Sequence, residues 1–194
     1  MLLYTHPISQ HARRVRILCH ELGLAVEEKV LDLQNGEHKS EAFLKINPAG
    51  QIPVLSDGGL ILPESHAIMR YLAIRDGDDH FYPAQIRPQI DRWLDWTHCT
   101  LNPPVQSIAI ERFTKGDNAD RNVTDDLHER VGKALTGYET AFDIPDVTLA
   151  DFAIGSTLGL YIMVGGSLND RPRAKESFEA LSSRRSFVET AARM

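Results

Sequence analysis

The sequence predicts an α+β protein with two domains, in which a βαβαββα domain precedes a domain made entirely of helices. Two observations lead to this prediction. Short apolar runs alternate with helical patterns over the first third of the 194 residues, and β signals disappear beyond a polar segment that contains Gly77 and Pro83. We therefore expect a first domain over residues 1–76, a linker over 77–86 and an all-helical domain over 87–194.

The first domain begins with a strand and a helix. Leu2 to Thr5 form a short apolar run, and the apolar residues from Val15 to Leu22 then recur at helical spacing up to Gly23. The elements that follow are a strand over 26–31, a short helix over 41–46, a hairpin around Asp57-Gly58-Gly59 and a helix over 64–75. Together they give the βαβαββα order.

The second domain contains only helical patterns. A long tract over 87–113 is interrupted by Pro103 and Pro104, which predict a bend there. The other patterns cover residues 127–142, 149–164, 173–181 and 184–192. The second of these is apolar nearly all round, which predicts a buried central helix. Thr148 and Asp151 predict a capping box at its start.

The composition argues against several classes of function. The net charge is −6, and Lys and Arg are spread along the chain, so we expect no nucleic-acid partner. No segment reaches the apolar length of a membrane span, so we expect no membrane partner. Cys19 and Cys99 lie far apart and the histidines lack ligand spacing, so we expect no disulfide and no metal. With an N-terminus unlike a signal peptide, these features predict a cytoplasmic protein.

The most informative stretch reads Asn47-Pro48-Ala49-Gly50-Gln51-Ile52-Pro53 and is followed by Glu64-Ser65-His66. A lone Ile-Pro is a common strand start, and a lone Glu-Ser is a common helix cap. Their joint occurrence, with a βαβ pattern before them and a capping box after them, resembles the glutathione transferase family. The resemblance implies a thioredoxin-like fold for the first domain and assembly into a homodimer.

The resemblance also assigns roles to these residues. In the family the peptide bond before the proline is cis. The backbone of the residue before the proline forms hydrogen bonds with the cysteinyl part of glutathione, as two neighbouring β-strands would. Ile52 and Pro53 occupy these two positions. Glu64 would bind the α-amino group, and Ser65 with the free helix N–H groups would bind the γ-glutamyl carboxylate. His66 is a further candidate contact, because the delta class often carries Arg there.

The stretch from Tyr4 to Arg16 is similar to the delta, theta and zeta classes, which place a serine at the position of Ser9. At the start of the first helix, this hydroxyl can donate to the glutathione sulfur while the helix dipole favours the thiolate. The alternative is that Ser9 is only an N-cap, and the two roles compete for one hydroxyl. Gln10 and Thr5 are the alternative donors to the same sulfur.

The segment Gly36-Glu37-His38-Lys39-Ser40 is similar to the theta and delta pattern. In those classes a basic residue here holds the glycyl carboxylate of glutathione through a charge-assisted bond. His38 is the first candidate and Lys39 the second. The alternative is that both are solvated loop residues.

A second pocket, for a small apolar electrophile, would be lined by the first loop and by the helix that follows the linker. The candidate residues are Ile8, Trp96, Leu101, Ile108 and Phe113. Apolar residues at helical spacing fit a core as well as a pocket, so both interpretations stay open.

The resemblance implies a detoxifying glutathione transferase that conjugates the glutathione thiolate to small hydrophobic electrophiles, with glutathione as substrate and no metal. Two alternatives remain. The same thiolate can reduce peroxides or disulfides, since it attacks sulfur and oxygen as well as carbon. The chain can also be a non-catalytic relative that binds a protein partner.

Overall fold

The computed structural model, which describes residues 1–77 and 79–191, contains the strands and helices expected in the first domain, in the expected order. These elements are β1 (Leu2–Thr5), α1 (Gln10–Glu21), β2 (Glu27–Val30), α2 (Glu41–Leu44), β3 (Val54–Asp57), β4 (Leu60–Pro63) and α3 (Ser65–Asp76). A short 3-10 turn, Glu37–Lys39, precedes α2.

The strands of this part form a sheet in the order β2-β1-β3-β4. β1 and β2 are parallel, with Thr5 opposite Val30, and the other two pairs are antiparallel. Tyr4 lies opposite Val54, which in turn lies opposite Pro63. The C-terminal ends of β1, β2 and β4 and the N-terminal end of β3 therefore meet at one end of the sheet.

The sheet has a core on each face. Tyr4 and Val54 pack with Leu31 and with Phe43 of α2 on one face. Because side chains alternate along a strand, the buried Leu3 points to the opposite face. α1 and α3 pack against each other, and α3 contacts β3 and β4. α3 thus connects α1 to the strands β3 and β4.

The chain divides into two compact units, one comprising Met1–Gln85 and the residues from Arg184 onward, the other Ile86–Ser183. The second unit is built from helices: α4 (Arg87–Trp96), α5 (Asn102–Lys115), α6 (Arg121–Ala141), α7 (Leu149–Met163) and α8 (Pro172–Ser182). The predicted α+β fold class, a thioredoxin-like domain with a helical domain, is confirmed.

In the second unit, the long helical tract is irregular just before the two prolines, and the predicted capping box of α7 is present. A π-helical turn, Thr97–Leu101, joins α4 to α5, and Pro103 and Pro104 follow it directly in the first turn of α5. The backbone N–H of Thr148 donates to Asp151 over 2.8 Å, and Thr148 Oγ1 accepts from Ala150, which forms the capping box of α7. Among the helices of residues 1–77 and 79–191, none has the length and apolarity needed to cross a bilayer.

The last helix, α9 (Arg185–Glu189), belongs to the first unit, whereas the sequence placed it in the helical domain. Its position follows from contacts with α1. Arg13 donates to the backbone carbonyl of Phe187 over 3.0 Å. Arg184 and Ser186 both donate to the Glu21 carboxylate, each with a bond of 2.5 Å. Hydrophobic periodicity does not reveal polar contacts of this kind, so it could not predict that α9 packs against α1.

Candidate functional site

One end of the sheet, which we call the loop end and define by Thr5, Val30, Val54 and Pro63, brings the sequence motifs together. Neighbouring strands lie about 4.8 Å apart, so the segments attached to these four residues start close to one another. α1 and α3 both begin at this end, and the positive ends of their dipoles point to it. Such an arrangement suits an anionic ligand.

Ser9 is the N-cap of α1. Its backbone is extended, with φ −71° and ψ 110°, and its hydroxyl accepts a hydrogen bond of 3.2 Å from the backbone N–H of Ala12. A serine hydroxyl carries one donor in addition to its acceptor lone pairs, so the cap leaves the O–H group available to a ligand. The two roles that appeared to compete therefore use different parts of one hydroxyl.

The alternative sulfur donors are less accessible. Thr5 is 1% exposed and Gln10 is 4% exposed, whereas Ser9 is half-buried. The Thr5 hydroxyl oxygen is buried and has no hydrogen-bond partner within the part of the chain that the structure describes. Of these three side chains, Ser9 is the one on a residue with surface open to a ligand.

Asn47 organises the loop that precedes β3. Its side-chain Nδ2 donates to the carbonyl of Gln51 over 2.8 Å, and its Oδ1 accepts from the backbone N–H of Ala49 over 3.2 Å. Gly50 has a φ of 58°, in the left-handed region that favours glycine. Asn47 and Gly50 thus determine the conformation of the loop that leads to Ile52.

Ile52 stands at the end of this loop, beside a proline. The Ile52–Pro53 peptide bond is cis, as the resemblance implies. The Ile52 side chain packs against the cluster of Tyr4 and Val54, and the residue itself lies outside the strand pairing of β3. Its backbone N–H and C=O are thus not part of the sheet ladder.

Glu64 and Ser65 form the start of α3. Glu64 is exposed and has φ 73° and ψ 113°, a conformation that L residues rarely adopt, and its side chain makes no capping bond. Ser65 is the first helical residue and is 7% exposed. Strained residues of this kind concentrate at functional sites.

His66 has a different environment from the one expected. Its Nε2 lies 2.6 Å from Nη1 of Arg14 on α1, and the residue is 9% exposed. Its imidazole therefore takes part in an internal contact between α1 and α3. A side-chain contact to glutathione, as the delta-class resemblance suggested, would have to compete with this bond.

His38 and Lys39 lie in the 3-10 turn beside the loop before β3. The Lys39 ammonium is 3.3 Å from the carbonyl oxygen of Ala49, and a Cβ on Gly50 would lie 2.9 Å from the carbonyl oxygen of His38. Nδ1 of His38 is buried and has no hydrogen-bond partner among the described residues. The Lys39 side chain and the backbone of His38 thus lie against the segment that leads to Ile52.

The candidates for the electrophile pocket separate into two groups. Leu101 and Ile108 are each 0% exposed and belong to the core of the second unit, so neither has surface open to a second substrate in this structure. Trp96 is half-buried and stacks on Tyr138 with ring centroids 6.1 Å apart. Ile8 and Phe113 are 45% and 50% exposed and remain candidates.

Cys19, on α1, is a buried residue. Burial raises the pKa of the Cys19 thiol to about 12, so at neutral pH Cys19 is protonated and is a poor nucleophile. Within residues 1–77 and 79–191, no three His, Cys, Asp or Glu side chains are grouped so that they could hold a metal ion. Any thiolate used at the loop end therefore has to come from a ligand.

Two residues of the site were missed from the sequence. Asn47 was quoted as part of a motif without a role, although it bonds to two points of the loop. Arg14 was not singled out, yet it is fully buried. The sequence does contain an indication of this burial. Arg14 is four residues before Leu18, so the two lie on the same face of α1, and a charged residue therefore occupies the apolar face of the helix.

Comparison with known proteins points to one family. A sequence profile of the family described as "Glutathione S-transferase, N-terminal domain" matches residues 1–74. Glutathione S-transferase 3 of Zea mays is 30% identical over 207 residues, which cover 98% of this chain and 92% of the maize protein.

Other relatives match over a shorter span. Glutathione S-transferase theta-1 of Rattus norvegicus is 38% identical over 102 residues, which cover 51% of this chain and 42% of the rat protein. The chain thus matches less than half the length of this theta relative. Among solved structures, glutathione S-transferase-I bound with lactoylglutathione superposes with a TM-score of 0.87 at 26% identity, covering 100% of this chain and 99% of the other.

Proposed function

Because this chain belongs to the glutathione transferase family, we propose that it binds glutathione at the loop end and transfers the thiolate to a small hydrophobic electrophile. The observation that carries the proposal is the convergence of Ser9, Ile52 and Ser65 at that end, where α1 and α3 both begin. The three positions offer contacts to the thiol, the cysteinyl backbone and the γ-glutamyl group of one ligand.

Ser9 is the proposed activator of the thiol. Its O–H donates to the sulfur while its oxygen keeps the cap bond to Ala12. The first turn of α1 reads Gln10-His11-Ala12-Arg13 and has no acidic side chain to oppose a thiolate. Lowering the thiol pKa by about two units requires about 2.7 kcal/mol. One charge-assisted hydrogen bond and a helix N-terminus are sufficient for this.

The backbone of glutathione is proposed to pair with Ile52. Because this residue lies outside the β3 ladder, its N–H and C=O can bind the cysteinyl part as an added strand would. Asn47 holds the loop in the shape this pairing needs. The lactoylglutathione bound by the structural relative supports a ligand derived from glutathione.

The two ends of glutathione are proposed to meet opposite charges. Glu64 binds the α-amino group, and Ser65 with the free N–H groups of α3 binds the γ-glutamyl carboxylate. At the other end, His38 and Lys39 hold the glycyl carboxylate. Pro53, which follows Ile52 through a cis peptide bond, keeps the next strand in place. The α-amino group and the glycyl carboxylate then each meet a side chain that can carry the opposite charge, and the γ-glutamyl carboxylate meets hydrogen-bond donors at the positive end of the α3 dipole.

For the second substrate we propose a small apolar electrophile in contact with Ile8, whose side chain is exposed on the segment between β1 and α1. Proximity of the bound thiolate then accelerates attack. A detoxifying role in the cytoplasm and assembly as a homodimer are part of the same proposal, and the family membership supports them.

Titration calorimetry tests glutathione binding directly. We expect glutathione to bind in the micromolar to millimolar range, as enzyme substrates commonly do. The dipeptide Cys-Gly is the matched control ligand, because it lacks the γ-glutamyl group that Glu64 and Ser65 would hold. It should bind at least roughly tenfold more weakly. Equal affinity for the two ligands would contradict the assignment of Glu64 and Ser65.

Turnover then separates the uses of the thiolate. Consumption of glutathione is followed with an aryl halide, an organic peroxide or a mixed disulfide as the second substrate. The proposal predicts that the aryl halide gives the greatest kcat/KM. Faster turnover of peroxide or disulfide would make reduction the function of this site. A folded protein that binds no glutathione would favour the partner-binding alternative.

A further inference from the structure

Arg14 places a charged side chain in the interior of the first unit. It lies on the second turn of α1 and is 0% exposed. Its Nη1 is 2.6 Å from Nε2 of His66, which directly follows Ser65 on α3. The contact therefore joins the beginnings of the two helices whose N-termini meet at the loop end.

The direction of this bond follows from the chemistry of the two groups. A guanidinium carries only donors, so Nε2 of His66 accepts and the neutral imidazole holds its proton on Nδ1. Charge-assisted bonds of this kind are short and depend steeply on distance and angle. A contact between two apolar side chains tolerates sliding, whereas the bond between Arg14 and His66 holds α1 and α3 at one register.

A buried cation is an expensive way to pack two helices. Moving a charge out of water carries a large penalty, and burial lowers the pKa of Arg14 to about 9. The other buried residues of α1 and α3 are mostly apolar, among them Val15, Leu18, Ile68, Met69 and Leu72. An apolar side chain at position 14 would pack there without this penalty. Fixing a register is the best-attested use of a buried polar pair.

We propose that Arg14 and His66 are a positioning pair that sets the separation of Ser9 and Ser65, and with it the activation of bound glutathione. The inference rests on the proposed function, in which Ser9 meets the thiol and Ser65 meets the γ-glutamyl carboxylate of the same molecule. One glutathione reaches both only if α1 and α3 keep their register. Misplacement by about 1 Å is enough to lower a rate by roughly 100-fold.

Two substitutions of His66 test the pair. His66→Leu fills similar space but removes the acceptor, whereas His66→Gln keeps an acceptor near the position of Nε2. The thiol pKa of bound glutathione is measured from the ultraviolet absorbance of the thiolate, together with KM for glutathione and the melting temperature. We expect His66→Leu to raise the thiol pKa by about one unit and KM roughly tenfold, and His66→Gln to recover most of both losses.

Leu72→Val is the matched control. Leu72 is a buried residue of α3 that does not belong to the pair, so its truncation lowers the melting temperature through lost packing alone. We expect it to leave the thiol pKa of bound glutathione unchanged. The comparison with His66→Leu separates a loss of register from a general loss of stability.

The inference is overturned if the thiol pKa of bound glutathione is the same in His66→Leu as in Leu72→Val. It is also overturned if His66→Gln restores neither the thiol pKa nor KM. Should His66→Leu not fold, Arg14→Lys decides, because lysine keeps the charge but lacks the planar fork of arginine. A raised thiol pKa in Arg14→Lys supports the pair, and an unchanged one contradicts it. A wild-type protein that binds no glutathione would instead refute the proposed function itself.

Discussion

At Glu64 the backbone adopts φ 73° and ψ 113°, in a region where a side chain is crowded by its own main chain. Holding a residue there costs about 1–3 kcal/mol. The rest of the fold has to compensate for this cost, because Glu64 is exposed and its side chain forms no capping bond. A carboxylate that binds the α-amino group of glutathione would explain why glutamate rather than glycine occupies the position.

Glu64→Gly should therefore change stability and binding in opposite directions. Glycine tolerates a positive φ but has a larger unfolded-state entropy, so we expect a net gain of about 1 kcal/mol in the free energy of unfolding. The loss of the carboxylate should weaken glutathione binding roughly tenfold. Chemical denaturation and calorimetry measure the two effects.

Glu64→Gln is the matched control for this prediction. It keeps the strained backbone and the size of the side chain but removes the charge, so stability should stay within about 0.5 kcal/mol while glutathione binding weakens. If Glu64→Gly bound glutathione as tightly as the wild type, the carboxylate would have no role in binding.

At the residue scale, the sequence predicted which positions lie at the loop end better than it predicted what their side chains contact. Ser9 and Ser65 are at helix starts, as expected, because capping residues announce helix N-termini. The burial of His66 and Leu101 was not anticipated, because whether a side chain faces a ligand or the interior depends on packing that one sequence does not display. Periodicity indicates a buried face without saying what covers it.

Among the elements, α9 shows how a short helix is held by polar contacts to another. The five residues Arg185–Glu189 would be marginal as an isolated helix. They are held against α1 by the bonds of Arg184 and Ser186 to Glu21 and by Arg16, which donates to the carbonyl of Thr190 over 3.3 Å. Because α1 carries Ser9, these contacts also support the proposed thiol site.

The Glu21 carboxylate gives this contact a pH dependence. The hydrogen bond from Arg184 holds the pKa of Glu21 below its ordinary value of 4.5, opposed in part by burial. A carboxyl group whose pKa is lower in the folded state stabilises the fold above its unfolded pKa. That contribution is lost as the pH falls through the folded-state value. Acidification below about 4.5 should therefore weaken the attachment of α9.

Glu21→Gln tests the attachment. We expect the variant to unfold about 1 kcal/mol more easily at pH 7, with the difference from the wild type shrinking as the pH falls below about 4.5. Glu41→Gln is the control, because Glu41 forms an exposed pair with Lys45 that contributes little. Equal stability of Glu21→Gln and wild type at pH 7 would show that the α9 contacts do not stabilise the unit.

At the scale of elements, the order βαβαββα and the capping box of α7 could be predicted because each leaves a local signal in the sequence. The position of α9 could not, since Arg13 and Glu21 meet residues far away in the chain. Contacts of this kind depend on the three-dimensional arrangement of α1 and α9. The same is true of the bond between Arg14 and His66.

For the whole molecule, we propose that one end of the sheet binds glutathione and lowers the pKa of its thiol. Two observations support this: the family membership of the chain, and the strand register of its first unit, which brings the starts of α1 and α3 to the same end. The thiol pKa of bound glutathione reports this activation more directly than turnover does, because it does not depend on the choice of electrophile.

That pKa should be measured by thiolate absorbance in the wild type, in Ser9→Ala and in Ser9→Asp. Aspartate can still cap α1, whereas it has no O–H to donate to the sulfur and adds a repelling charge. We predict a bound thiol pKa about two units below that of free glutathione in the wild type, and a value near that of free glutathione in both variants. An unshifted thiol pKa in the wild type, or an equal shift in Ser9→Ala, would contradict the account.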